Sequence, residues 1–287
     1  MGWLAKLTGT GGTVPAGERQ LPLATGAFWI GWYSYREMAR RRRLVAMGAV
    51  MLVPVLMCLA WRLLDRDGAV SASLLLANLG GIVYVPFLTA LVSLAFGVSA
   101  IGEEVEEGTI LYYWTRPVGR GAIHLGRLVA AQTVAATLLA GSLALCFAVI
   151  TAGNFGALTA KFVHAYLVTV GVVMLGAFVY TAIFAAMGTG LKRPMLAALL
   201  FAFGWETMTG NIPARIQQLT VVFHLRNLIG NTEAGTRSVP NLLLELLRQV
   251  QHEAPVPQWR SVLVLLATMI LAGLLGAWLL RRKEIFR

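Results

Sequence analysis

Residues 163–189 read VHAYLVTVGVVMLGAFVYTAIFAAMGT, a stretch without one Asp, Glu, Lys or Arg. A helix of that length extends about 40 Å, which exceeds the ~30 Å hydrocarbon core of a bilayer. Lipid offers no partner to backbone N–H and C=O groups, so an apolar run this long must bond to itself as a helix. The same reading applied outward finds five more stretches, giving six expected spans at 44–63, 74–100, 125–151, 163–189, 194–210 and 259–280. The fifth is the shortest. It opens on Pro194, a residue suited to a first helical turn, and closes on Gly210, Asn211, Ile212 and Pro213. The expected fold class is an all-α integral membrane protein with six transmembrane helices.

Composition agrees. Of 287 residues, 57% are hydrophobic and 13% charged, where a soluble domain carries about 25% charged. The net charge of +11 comes from 24 basic and 13 acidic residues. Such an excess marks either a nucleic-acid surface or the cytoplasmic bias of a membrane protein. Here the basic residues cluster at the ends of apolar runs, so nucleic acid is not an expected partner. With both termini cytoplasmic, 16 basic residues fall on the inner side and 8 on the outer, five of these in or beside one long loop. That orientation satisfies the positive-inside rule. The expected location is the cytoplasmic (inner) membrane.

The pieces that do not span divide the rest of the chain. Residues 1–23, rich in Gly and Thr, read as a flexible cytoplasmic tail. Residues 24–43 carry Phe28, Trp29, Trp32, Tyr33 and Tyr35, then Arg36 and the run Arg40 to Arg43. Aromatic rings followed by a basic block suit an amphipathic helix in the cytoplasmic interface, with arginines meeting anionic lipid. Trp29, Trp32, Arg36 and Arg40 are its expected anchors. Residues 44–287 form the six-span domain, with a cytoplasmic segment at 101–124 and an external loop at 211–258. Apolar periodicity in that loop predicts short helices packed on the outer membrane face.

Catalytic chemistry finds no foothold. No phosphate-binding G-x-x-x-x-G-K-[ST], no H-E-x-x-H and no G-x-S-x-G occurs. The expectation is a non-enzyme that binds no cofactor of its own. Cys58 and Cys146 lie inside apolar runs and read as buried small hydrophobes, and the scattered histidines as interfacial or loop residues. Glu206 is the single acidic side chain within an expected span, and charge at membrane depth makes it a candidate polar site. Its plainer reading is a side chain at the outer end of a short helix, reaching headgroups or water.

The segment between the second and third spans is more specific. It runs Gly102, Glu103, Glu104, Val105, Glu106, Glu107, Gly108, Thr109, Ile110, Leu111, Tyr112, Tyr113, Trp114, Thr115, Arg116, Pro117, Val118, Gly119, Arg120. Four carboxylates in five positions do not belong against anionic lipid. Gly108 offers a break, Thr109 a helix cap and Pro117 a stop. The result reads as a small helix with an apolar and aromatic surface, presented to a soluble partner or laid in the interface.

This segment resembles the pattern G-E-x-E-x-G-T-x-x-x-x-x-x-R-P-V-x-R of permease subunits in ABC transporters of the type-two exporter class. Glu104, Glu107, Gly108, Thr109, Arg116, Pro117, Val118 and Arg120 fill it, and Arg127 matches the basic residue entering the third span. The layout, with an interfacial first helix and a long last external loop, is similar to the subgroup of nitrous-oxide-reductase maturation and gliding-motility permeases. The resemblance implies that residues 104–117 form a coupling helix docked on a separate ATP-binding cassette subunit. Glu104 and Glu107 would be polar docking groups, with Gly108, Thr109, Tyr112, Tyr113, Trp114, Arg116 and Pro117 completing the contact. It implies two ATP-binding subunits carrying ATP and Mg, and a second permease copy or a homologue. Tyr112, Tyr113 and Trp114 are bulkier than the leucine-rich version usual at those positions. A membrane scaffold or assembly factor, binding a partner through the same segment and transporting nothing, is the alternative. Small residues at helical spacing, Ala136 with Ala140 and Ala182 with Ala186, offer candidate faces for self-association.

Overall fold

The computed structural model describes residues 23–40, 42–64, 72–102, 120–152, 158–211, 215–229 and 256–282, and among them there is no β-strand. Five helices are long and apolar enough to cross a membrane: α2 (Arg42–Leu64), α3 (Ala72–Ser99), α4 (Arg120–Thr151), α5 (Ala160–Gly190) and α8 (Gln258–Arg282). They fall on the first, second, third, fourth and sixth expected spans. The fifth expected span is α6, residues 194–211, a helix in three consecutive pieces: Pro194–Leu199, a π-helical Leu200–Trp205 and Glu206–Asn211. Its apolar part, Pro194–Trp205, is shorter than a bilayer-crossing helix. Before the spans lies α1 (Leu23–Arg40), and after α6 come a 3-10 turn at Arg215–Leu219 and α7 (Val221–Ile229). The expected tail at 1–23 falls almost wholly outside the described residues.

Small residues set the helix contacts. Along the α3–α5 pair the neighbours run in the same order on both helices, so the two are parallel. Gly80 faces Thr169, Thr89 faces Gly176, Gly97 faces Thr181 and Phe184, and Gly188 faces Val98. A Cβ on Gly97 would sit 2.9 Å from that of Phe184, and one on Gly188 would sit 2.7 Å from the Val98 carbonyl oxygen. Only glycine permits this approach. Ala136, Ala182 and Ala186 are buried within the chain's own bundle, with Ala186 against Gly276 of α8. These small residues therefore serve internal packing rather than the self-association expected of them.

A polar thread ties α2, α3 and α4 together in an otherwise apolar region. The Ser142 hydroxyl donates to the Met51 carbonyl at 2.8 Å, one turn before the buried Pro54 of α2. Its single proton is thereby used, so Tyr84 donates to Ser142 at 2.7 Å. The Cys146 thiol in turn lies 3.4 Å from the Tyr84 oxygen. Cys58 and Cys146 are both free and buried, as their apolar setting predicted. Residues 79–88 of α3 widen into a π-helix around Pro86, which has no N–H to offer. Thr89 closes that stretch, donating its backbone N–H and its hydroxyl (2.8 Å) to the Tyr84 carbonyl.

Wide apolar surfaces remain exposed on α2 and α8, among them Leu52, Leu56, Leu63, Leu271, Leu274 and Trp278. In water such a surface would associate; in a bilayer, lipid covers it.

Candidate functional site

The segment singled out in the sequence is visible at its two roots. Residues Glu104, Glu107, Gly108, Thr109, Tyr112, Tyr113, Trp114, Arg116 and Pro117 lie outside the described residues. On one side the chain arrives through Ala100, Ile101 and Gly102, all buried. On the other it leaves into α4, whose residue 127 faces the arrival side. Arg127 is 3% exposed, and its Nε–H donates to the Ala100 carbonyl. The carbonyls at a helix end have no partner within the helix, and a charged donor makes the stronger bond to one. Arg127 also lines a small cavity with Glu37 and Met38 of α1, Arg43 of α2, and Phe96 and Ser99 of α3. Residues of four helices thus line one cavity with Arg127.

Helix α1 is pressed on α4. Gly31 and Gly126 meet backbone to backbone: a Cβ on Gly126 would lie 2.5 Å from the Ala27 carbonyl oxygen, and one on Gly31 would lie 3.0 Å from that of Gly126. Ser34 and Met38 are buried on the same face. The opposite face exposes Phe28, Trp29, Trp32 and Tyr33, and the Arg36 guanidinium lies 4.8 Å from the Trp32 ring centre. Rings and cation therefore share one exposed stripe, the arrangement a headgroup layer accepts. The side chain of Arg40 lies outside the described residues.

Glu206 departs from its plainer reading. It is 2% exposed, and its carboxylate turns inward rather than out to headgroups or water. One oxygen accepts the Val221 N–H and the other the Val222 N–H, each at 3.1 Å. These are unsatisfied amides of the first turn of α7, where a negative charge meets the positive end of the helix dipole. Thr220 caps the same turn, accepting the Phe223 N–H at 3.3 Å and donating to the Gln217 carbonyl at 2.7 Å. The buried Tyr180 hydroxyl lies near this carboxylate without forming a hydrogen bond to it.

With its amino end held there, α7 packs back among the long helices. Leu225 lies against Gly176 of α5, and Ile229 approaches Gly80 of α3. This helix, which the sequence predicts to rest on the outer membrane face, is therefore wedged into the bundle. A second polar set fixes it to α8. His224 Nε2 faces the Gln218 carbonyl at 2.9 Å, so that nitrogen carries the proton, and Nδ1 accepts from the Ser261 hydroxyl at 3.1 Å. Asn227 donates to the Ser261 oxygen at 3.0 Å and to the Val256 carbonyl at 2.9 Å. Burial pushes the His224 imidazolium pKa down, the Gln218 carbonyl partly opposing this.

Sequence reasoning named Arg127 only as part of a motif, and it missed the clasp between α6 and α7 and the His224–Ser261 contact. His224, in the segment expected as a loop, and His124, near the start of α4, are both buried. No group of three or more His, Cys, Asp or Glu side chains suited to a metal occurs among the described residues. A family model described as ABC-2 family transporter protein matches residues 39–205. The matched region runs from the end of α1 to the π-helical stretch of α6 and contains the whole of the acidic segment. No curated protein matches the chain.

Proposed function

The chain belongs to the ABC-2 family of transporter proteins and is a membrane permease component of an ABC transporter, and we propose that it is the permease of an exporter powered through residues 104–117. In this reading two ATP-binding cassette subunits dock on two permease copies, or on this chain and a homologue. ATP and Mg are held entirely by the ATP-binding subunits. Closure of those subunits moves the 104–117 segments, and the substrate path opens between the permeases. Glu104 and Glu107 supply polar docking groups, with Gly108, Thr109, Tyr112, Tyr113, Trp114, Arg116 and Pro117 around them. Helix α1 lies in the cytoplasmic interface with Trp29, Trp32 and Arg36 toward lipid, and Arg40 is a further anchor read from the sequence alone. Helix α6 is the fifth of six spans, and both termini are cytoplasmic in the inner membrane. In layout the chain is similar to the permeases of nitrous-oxide-reductase maturation and gliding motility.

The observation that carries this reading is the family match over the region that contains the acidic segment. The test is co-expression of the tagged chain with its neighbouring reading frames, followed by the composition and ATPase activity of what elutes in mild detergent. An assembly of two permease and two ATP-binding subunits is expected. A chain that elutes without any ATP-binding subunit points to the scaffold.

A further inference from the structure

We propose that Arg127 is a positioning residue that locks together the two roots of the 103–119 segment and passes its displacement into α1; this rests on the docking role given to that segment. The contact has a sequence separation of 27 and spans the whole segment between its donor and its acceptor. A push on a segment moves the bundle only if its two ends move as one body. With separate ends, the push instead deforms the connection. The Arg127 guanidinium supplies the join: it grows from α4 and ends on the carbonyl of Ala100, the residue that follows α3. Burial at 3% exposure excludes the water that would compete for that carbonyl.

The direction of transmission follows from what packs beside Arg127 on α4. The cavity at Arg127 is walled by Glu37 and Met38 of α1 and by Arg43 at the start of α2. One residue earlier on α4, Gly126 is in backbone contact with α1 at Ala27 and Gly31. A side chain between these helices would yield under load, whereas a backbone-to-backbone contact does not. Displacement of the joined roots is therefore delivered to α1 at Gly126, one residue before Arg127 on α4. Lys keeps the charge and a donor but lacks the planar guanidinium fork, so it holds the carbonyl less firmly.

The test uses the full complex with the ATP-binding subunit, reconstituted in lipid nanodiscs. Hydrogen exchange of residues 23–40 is compared with and without ADP and vanadate. The wild type is expected to show a nucleotide-dependent change in α1. Arg127→Gln is expected to keep the subunit composition and ATP hydrolysis while losing that change, and Arg127→Lys to regain part of it. A purely structural residue would move thermal stability without separating hydrolysis from the response. A wild-type response in Arg127→Gln overturns the proposal. Should Arg127→Gln fail to fold, a full response in Arg127→Lys overturns it and a diminished one supports it. If the wild-type chain recruits no ATP-binding subunit, the docking premise fails first, and the wild-type control alone reveals that.

Discussion

Glu206 and Val221 are separated by 15 positions in the chain, yet the carboxylate of one accepts the amide of the other at 3.1 Å. The second oxygen takes Val222, so a single side chain of α6 satisfies two amides at the start of α7. This clasp is what turns the chain back after α6 and seats α7 between α3, α5 and α8.

Removing it should loosen α7 first. Glu206→Ala leaves two buried amides without acceptors, at about 1–3 kcal/mol each. Exchange protection of Val221–Ile229 should fall by at least tenfold, with α4 and α5 unaffected. Glu206→Gln retains a single carbonyl acceptor and should fall between the two. Equal protection in all three chains would show that the clasp does not hold α7.

The α1–α4 contact predicts a contrast between glycines. Gly126→Ala puts a methyl group within 2.5 Å of the Ala27 carbonyl oxygen, so α1 must shift away. A loss of about 1–3 kcal/mol is expected, as for other overpacked contacts. Gly141 and Gly171 have nothing within 4 Å of an added Cβ. Alanine there should be neutral or stabilising by up to about 1 kcal/mol, because helical glycine is entropically costly. Thermal unfolding in detergent separates the two outcomes.

The polar thread through Tyr84 is a further test of packing. Tyr84→Phe removes the donor to Ser142 and the partner of the Cys146 thiol while keeping the ring. Destabilisation of about 1 kcal/mol is expected, the usual net worth of a buried hydrogen bond. The same unfolding assay reads it, and no measurable change would argue that the network contributes only geometry.

Acid should weaken the α7–α8 contact. Burial favours neutral His224 and holds its pKa below the usual value, near 6.5 for an unperturbed imidazole. The unfolded chain therefore binds a proton first as pH falls, and stability present above about pH 6.5 is lost below it. Exchange protection of α7, corrected for intrinsic rates, should decline from pH 7.5 to pH 5. His224→Gln should abolish that decline even if it lowers protection throughout.

How much of this was legible in the sequence varied with the distance over which the signal acts. The five long helices are written in uninterrupted apolar runs, since lipid and backbone hydrogen bonding leave such runs one solution. Helix α1 is legible because aromatic rings precede a basic block in the sequence. Residues 194–211 read ambiguously because Glu206 interrupts the apolar run. Its reason is a partner that the chain meets only after turning back. Ala136, Ala182 and Ala186 misled for a different cause, because small residues look alike whether they face a second copy or a neighbouring helix of the same chain. Gly126 and Gly31 likewise carry no mark in the sequence that pairs them.

On the proposed function, this permease is driven through its acidic segment. The most direct measurement is ATP-binding-subunit recovery and substrate-independent ATPase activity for the chain carrying Glu104→Lys with Glu107→Lys, purified beside the wild type. The account predicts that the variant keeps its helices and its thermal transition but loses most of the bound ATP-binding subunit. Wild-type recovery and activity in the double variant would contradict it.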